Sequence, residues 1–301
     1  MRARTLLAAI GTTLSLSAAS ASPMPPAFTP PAPGAQQRIS VTVEGAGPDV
    51  LLIPGLASSR EVWADLAAKL RQHYRLHLVQ VAGFAGSPAV PSVDGQVVAP
   101  IADAVADYIR SERIEAPAII GHSLGGEVAL MLGARHPAHV ARLMIVDALP
   151  FYTLLIDPSA TIDTARPHAA ALRDAMLAAP AEQAEAMQSA AVARLVKTEA
   201  ARPALIAAGI RSDRSMVADA MYELMTTDLR PELGRIQAPV QVVYAYDPLY
   251  GVPASNVDAL FDTAYASAPT ASFRRIDGSF HFVMLDQPVV FAETVMEFLR
   301  Q

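Results

Sequence analysis

Ser123 stands in Gly121-His122-Ser123-Leu124-Gly125, a G-x-S-x-G run. Serine is a weak nucleophile unless a base takes its proton, so this run has chemical meaning only with a histidine and a carboxylate beside it. The chain has seven histidines, and His281 alone follows the last predicted strand, in Asp277-Gly278-Ser279-Phe280-His281-Phe282. When a serine leads the chain order and histidine ends it, the acid comes between them. Asp247 meets that condition directly after a strand, in Ala245-Tyr246-Asp247-Pro248, and is the expected acid. Asp147, which ends an earlier strand, is the rival; Asp277 stands too close before His281. Such a triad transfers an acyl group from an ester, thioester or lactone to water. The tetrahedral intermediate then needs two donors. They are expected to be the backbone N–H of Leu124 and that of Leu56 in Pro54-Gly55-Leu56-Ala57, where Pro54 has no N–H to give.

The elements around these residues are those the chemistry requires. Residues 50–53, 76–81, 116–120, 142–146, 240–244 and 272–276 read as strands, and several are apolar throughout, as strands buried on both faces are. Helices are predicted over 59–73, with Ser59 as N-cap, and over 97–111, 125–135 and 288–299, with Asp286 capping the last. Repeated strand–helix–strand units imply a parallel sheet covered on both faces. Ser123 lies between a strand and a helix, the context in which G-x-S-x-G makes a sharp, strained turn. Residues 150–232 break the alternation: no strand pattern, and alanine, leucine and methionine at helical spacing. Met176, Met187, Met216, Met221 and Met225 either line a cleft for an acyl or aromatic group or pack the helices together.

Residues 39–149 and 233–300 resemble the α/β-hydrolase superfamily in its serine-nucleophile branch with a helical cap, esterase- or lipase-like. The resemblance rests on Ile53-Pro54-Gly55-Leu56 with Trp63, on the run from Gly121 to Gly126, on the Asp247 segment, and on His281 with Asp286-Gln287-Pro288. It departs from many relatives in having Pro54-Gly55 where they have His-Gly. The resemblance implies an α/β fold, with a mostly parallel eight-stranded sheet flanked by helices and residues 150–232 as a cap. It also implies hydrolysis of a carboxylic ester; relatives that open epoxides or displace halide carry aspartate at the elbow. A lactonase or carbon–carbon hydrolase on the same triad is the alternative, and a non-catalytic binding protein the other class.

Composition narrows partners. The net charge of −6 and the absence of a basic stripe argue against nucleic acid. With no cysteine there are no disulfides or thiolate ligands, and neither a metal-binding motif nor a G-x-G-x-x-G run calls for a cofactor. The expected partner is a small ester or lactone with an apolar acyl or aromatic group. At the N-terminus, Arg2 and Arg4, an apolar run from Leu6 to Leu16 and Ala19-Ser20-Ala21 read as a signal peptide over 1–21. A proline-rich tether follows over 22–37. Export to the periplasm or beyond, with no membrane anchor after processing, is the expectation.

Overall fold

The computed structural model describes residues 38–92 and 95–301. The signal-peptide and tether segments lie outside them. Seven strands form one sheet: β1 (Ile39–Glu44), β2 (Asp49–Ile53), β3 (Arg75–Val81), β4 (Ala118–His122), β5 (Arg142–Val146), β6 (Val240–Tyr246) and β7 (Ala271–Asp277). Their order is β1-β3-β2-β4-β5-β6-β7. β1 runs antiparallel to β3, and all other pairs are parallel. The fold is the expected α/β hydrolase type, with seven strands among the described residues where the resemblance implied eight.

Alternation of side chains along each strand divides the core into two layers. Leu51 and Ile53 of β2 join the layer under α2 (Val98–Ser111), α3 (Leu124–Arg135) and α8 (Ala254–Ala264). Val50 and Leu52 face the opposite way, toward α1 (Ala64–Leu70) and α10 (Pro288–Arg300). In that second layer Trp63 is wholly buried and stacks on Phe291, with ring centroids 6.2 Å apart. A sheet buried on both faces requires the near-continuous apolar strands seen in the sequence.

Between β5 and β6 the chain is helical: α4 (Ile162–Ala178), α5 (Ala181–Leu195), α6 (Arg202–Arg211) and α7 (Arg214–Thr226), with short 3-10 turns. Thr161 caps α4 in a capping box with Thr164. Asp213 caps α7 by accepting the Met216 N–H. The remaining helix, α9 (Val283–Asp286), is a single turn just after His281.

Two predicted caps fall out differently. Ser59 starts a 3-10 turn, Arg60–Trp63, before the α-helix begins. Gln287, not Asp286, occupies the N-cap position of α10. The Asp286 carboxylate is turned toward other segments.

Candidate active site

Ser123 occupies the turn between β4 and α3 with φ 54° and ψ −122°, a conformation that side chains rarely tolerate. The packing around the turn explains its glycines. A Cβ on Gly121 would lie 2.0 Å from the Gly125 oxygen, one on Gly125 2.3 Å from the Ile53 oxygen, and one on Gly126 2.7 Å from the Ala148 Cβ. The turn is held by the Ser123 N–H on the Val146 oxygen at 3.0 Å and the Gly126 N–H on the Ser123 oxygen at 2.7 Å. Ser123 is thereby presented at the carboxyl edge of the sheet, at the N-terminus of α3. The positive end of that helix favours negative charge developing there.

His281 lies in the loop between β7 and α9. Its main chain is tied to the nucleophile's neighbour: His122 Nε2–H donates to the His281 oxygen at 3.0 Å, and the two rings are 4.4 Å apart. Burial, followed by the nearness of His281, holds the His122 imidazole well below the usual histidine range, so it is neutral and keeps its proton on Nε2. Among the described residues its Nδ1 has no partner, and it faces Gly55, where a Cβ would come to 3.0 Å from both that nitrogen and the Ser123 Cβ. A side chain at position 55 would press on both of these groups.

The carboxylate on the His281 ring is that of Asp147. Its Oδ2 lies 2.6 Å from His281 Nδ1, and its Oδ1 accepts the Ala245 N–H of β6 at 2.9 Å. Asp147 has φ 47°, and its own N–H donates to the Val243 oxygen at 2.7 Å. This left-handed turn, immediately after β5, swings the side chain across to the neighbouring strand.

Asp247, the acid expected from the sequence, is placed otherwise. It opens the 3-10 turn Pro248–Tyr250 and caps it, Oδ1 accepting the Leu249 N–H at 2.9 Å. Oδ2 takes Lys197 Nζ at 2.6 Å, and that ammonium, with the Leu249 N–H, holds the carboxyl below the usual carboxylate range. Both oxygens are thus engaged away from His281. The structure thus sets Asp147, not Asp247, against the His281 ring, and β5 and β6 are adjacent and parallel. Their carboxyl ends lie side by side, so chain order does not distinguish the two aspartates.

The two expected oxyanion donors are positioned without acceptors of their own: among the described residues neither the Leu56 nor the Leu124 N–H makes a hydrogen bond. Leu56 follows Gly55 at the end of β2, against Ser123. Among the described residues no hydrogen bond joins Ser123 Oγ to the His281 ring, a contact that commonly tightens only once substrate is bound. The methionines divide. Met216 and Met225 are buried, with the Met216 sulfur filling the space over Gly83, while Met187 is exposed. A cavity of about 390 Å³ between α2, α3 and α7 is lined by Met131, Arg135, Tyr222 and Glu223 and includes none of Ser123, Asp147 or His281.

Comparison with known proteins gives the same fold and a chemical direction. Residues 50–294 match the family described as "Alpha/beta hydrolase family". The pimeloyl-[acyl-carrier protein] methyl ester esterase of Aeromonas salmonicida is 29% identical over 87% of this chain and all of its own length. The enzyme of that name from Chromobacterium violaceum is 35% identical over a shorter stretch, 38% of this chain and 42% of its own. Among solved structures, an enol-lactonase from Burkholderia xenovorans superposes with a TM-score of 0.70 at 19% identity, over 87% of this chain and 96% of that one.

Proposed function

The chain belongs to the alpha/beta hydrolase family, and on that premise we propose that it hydrolyses carboxylic esters through an acyl-enzyme on Ser123, with His281 as general base and Asp147 as the acid that orients it. The observation that carries this reading is the pairing of a strained Ser123 turn with a histidine whose Nδ1 is held by a carboxylate at 2.6 Å. Asp147 fixes the proton on Nδ1, which leaves Nε2 free to accept the Ser123 hydroxyl proton. Ser123 Oγ attacks the ester carbonyl, and the Leu56 and Leu124 N–H groups stabilise the oxyanion. His281 returns the proton to the departing alcohol, and water releases the acid by the same steps in reverse.

The two named relatives act, by their names, on a methyl ester, which supports an ester with a small alcohol over a lactone. The helices over 150–232 form the cap over the acyl side. We place the enzyme outside the cytoplasm, on the strength of the N-terminal order of charge, apolar run and Ala-x-Ala. Intact mass of the exported protein should begin near Ser22; a mature chain retaining residues 1–21 overturns that part.

The test is turnover of nitrophenyl acyl esters and methyl esters beside lactones and diketones, with fluorophosphonate labelling. Ester turnover lost in Ser123→Ala, together with a label on Ser123, supports the reading. Normal turnover in the folded variant rules this serine out.

A further inference from the structure

Asp286 has the sequence position of a helix cap but does a different job. Its carboxylate gathers three backbone N–H groups from two segments, one nearby in the His281 loop and one 88–89 residues away in the insertion. Lys197 N–H lies 3.0 Å from both oxygens, Thr198 N–H 2.8 Å from Oδ1, and Phe280 N–H 2.9 Å from Oδ2. Phe280 directly precedes His281. On its other side the Phe282 N–H donates to the Leu195 oxygen at 3.0 Å. His281 is therefore flanked by two bonds, and each leads to residues 195–198 at the end of α5. Lys197 adds a third link, its ammonium on Asp247, whose turn carries Tyr250 stacked on Phe280 at 5.4 Å.

We propose that Asp286 is the positioning residue of His281, and that it acts by locking the His281 loop to residues 195–198 of the helical insertion, so that the base is in register with Ser123 and Asp147 only while that insertion is seated. The inference rests on the catalytic reading above. A carboxylate accepting three N–H groups makes charge-assisted bonds that no neutral side chain of its size replaces. Besides the Phe282 bond, the loop has the His122 bond to the His281 oxygen, the Ser279 N–H on the Tyr246 oxygen at 3.3 Å and the Gln287 amide on the Gly278 oxygen at 3.1 Å. Those bonds tie the loop to the core but not to the insertion. Misplacing a reacting group by about 1 Å costs on the order of 10²-fold in rate.

The experiment compares the full chain with Asp286→Asn, Asp286→Ala and Asp286→Glu. Ester kinetics are read beside the proton spectrum of the His281 Nδ1–H held by Asp147. The asparagine and alanine variants should lose kcat by roughly 10- to 100-fold with KM nearly unchanged. Their downfield His281 proton should broaden or vanish, and glutamate should recover part of both. A folded Asp286→Asn with kcat within about twofold of wild type and an unmoved resonance overturns the proposal. So does a rate loss that only follows the unfolded fraction while the resonance stays. Should the alanine variant fail to fold, asparagine carries the test. Should wild type turn over no ester, the functional reading falls, and the resonance comparison still decides whether Asp286 sets the place of His281.

Discussion

Replacing Asp147 with asparagine should lower kcat/KM for a nitrophenyl ester by on the order of 10⁴, because an amide cannot stabilise the imidazolium and favours the wrong tautomer. Asp247→Asn should stay within about tenfold of wild type, since it removes an ion pair to the exposed Lys197 ammonium rather than the partner of the ring. A crippled Asp247→Asn beside a mild Asp147→Asn would return the acid to the later strand. The sequence holds Ser123 and His281 plainly, one by its glycine neighbours and the other by its place after the last strand. It does not separate the aspartates, because what decides between them is conformational. Asp147 turns its carboxylate toward β6 through a positive φ, and Asp247 spends its own on the turn that Pro248 starts. Neither the left-handed angle at residue 147 nor the reach of Lys197 from 50 residues away has a sequence signature.

At the scale of elements, apolar periodicity located the sheet and most helices, since buried faces leave that mark. Contacts between elements left none. Helix α2 has no side-chain cap of its own: its N-terminal groups are satisfied by Glu223 from α7. Glu223 Oε2 accepts the Val97 and Val98 N–H groups at 2.6 and 2.7 Å, and Oε1 accepts that of Ala99 at 2.9 Å. The charge suits the positive end of the helix. Glu223→Gln should therefore destabilise the protein by about 1–3 kcal/mol in urea unfolding, with Glu223→Ala at the upper end. An unchanged midpoint in both would mean that water replaces the carboxylate at no cost. Helix α8 leaves no visible stripe in the sequence, because only Phe261 and Ala264 of its residues are deeply buried. Asp286 has the sequence position of a local cap, and its long-range partners at 197 and 198 leave no mark near it in the chain.

For the whole molecule, the carboxyl group of Glu127 is the sharpest thermodynamic probe. It lies one turn beyond Ser123 in α3, is wholly buried, and its Oε2 has no partner among the described residues. Burial first, and then the nearby Glu223 carboxylate, push it well above the usual glutamate range. The folded protein thus keeps a proton on Glu127 at pH values where the unfolded chain, ionising near 4.3, has lost it. With more protons bound in the folded state, stability falls as pH rises above that value, by about 1.4 kcal/mol per pH unit for this group, until the folded pKa is reached. His77 and His122 act in the opposite sense. Burial depresses both, so folding releases their protons and stability rises with pH up to about 6.5. Wild type alone therefore mixes slopes of both signs. Comparison with Glu127→Gln cancels the histidines and any constant packing difference, because glutamine keeps the shape and does not ionise. Urea unfolding of both proteins from pH 5 to 8 should show the variant gaining on wild type as pH rises. Parallel stability curves across that range would mean that Glu127 ionises equally in the folded and unfolded chains, and that its burial is relieved by a partner the folded structure acquires in water.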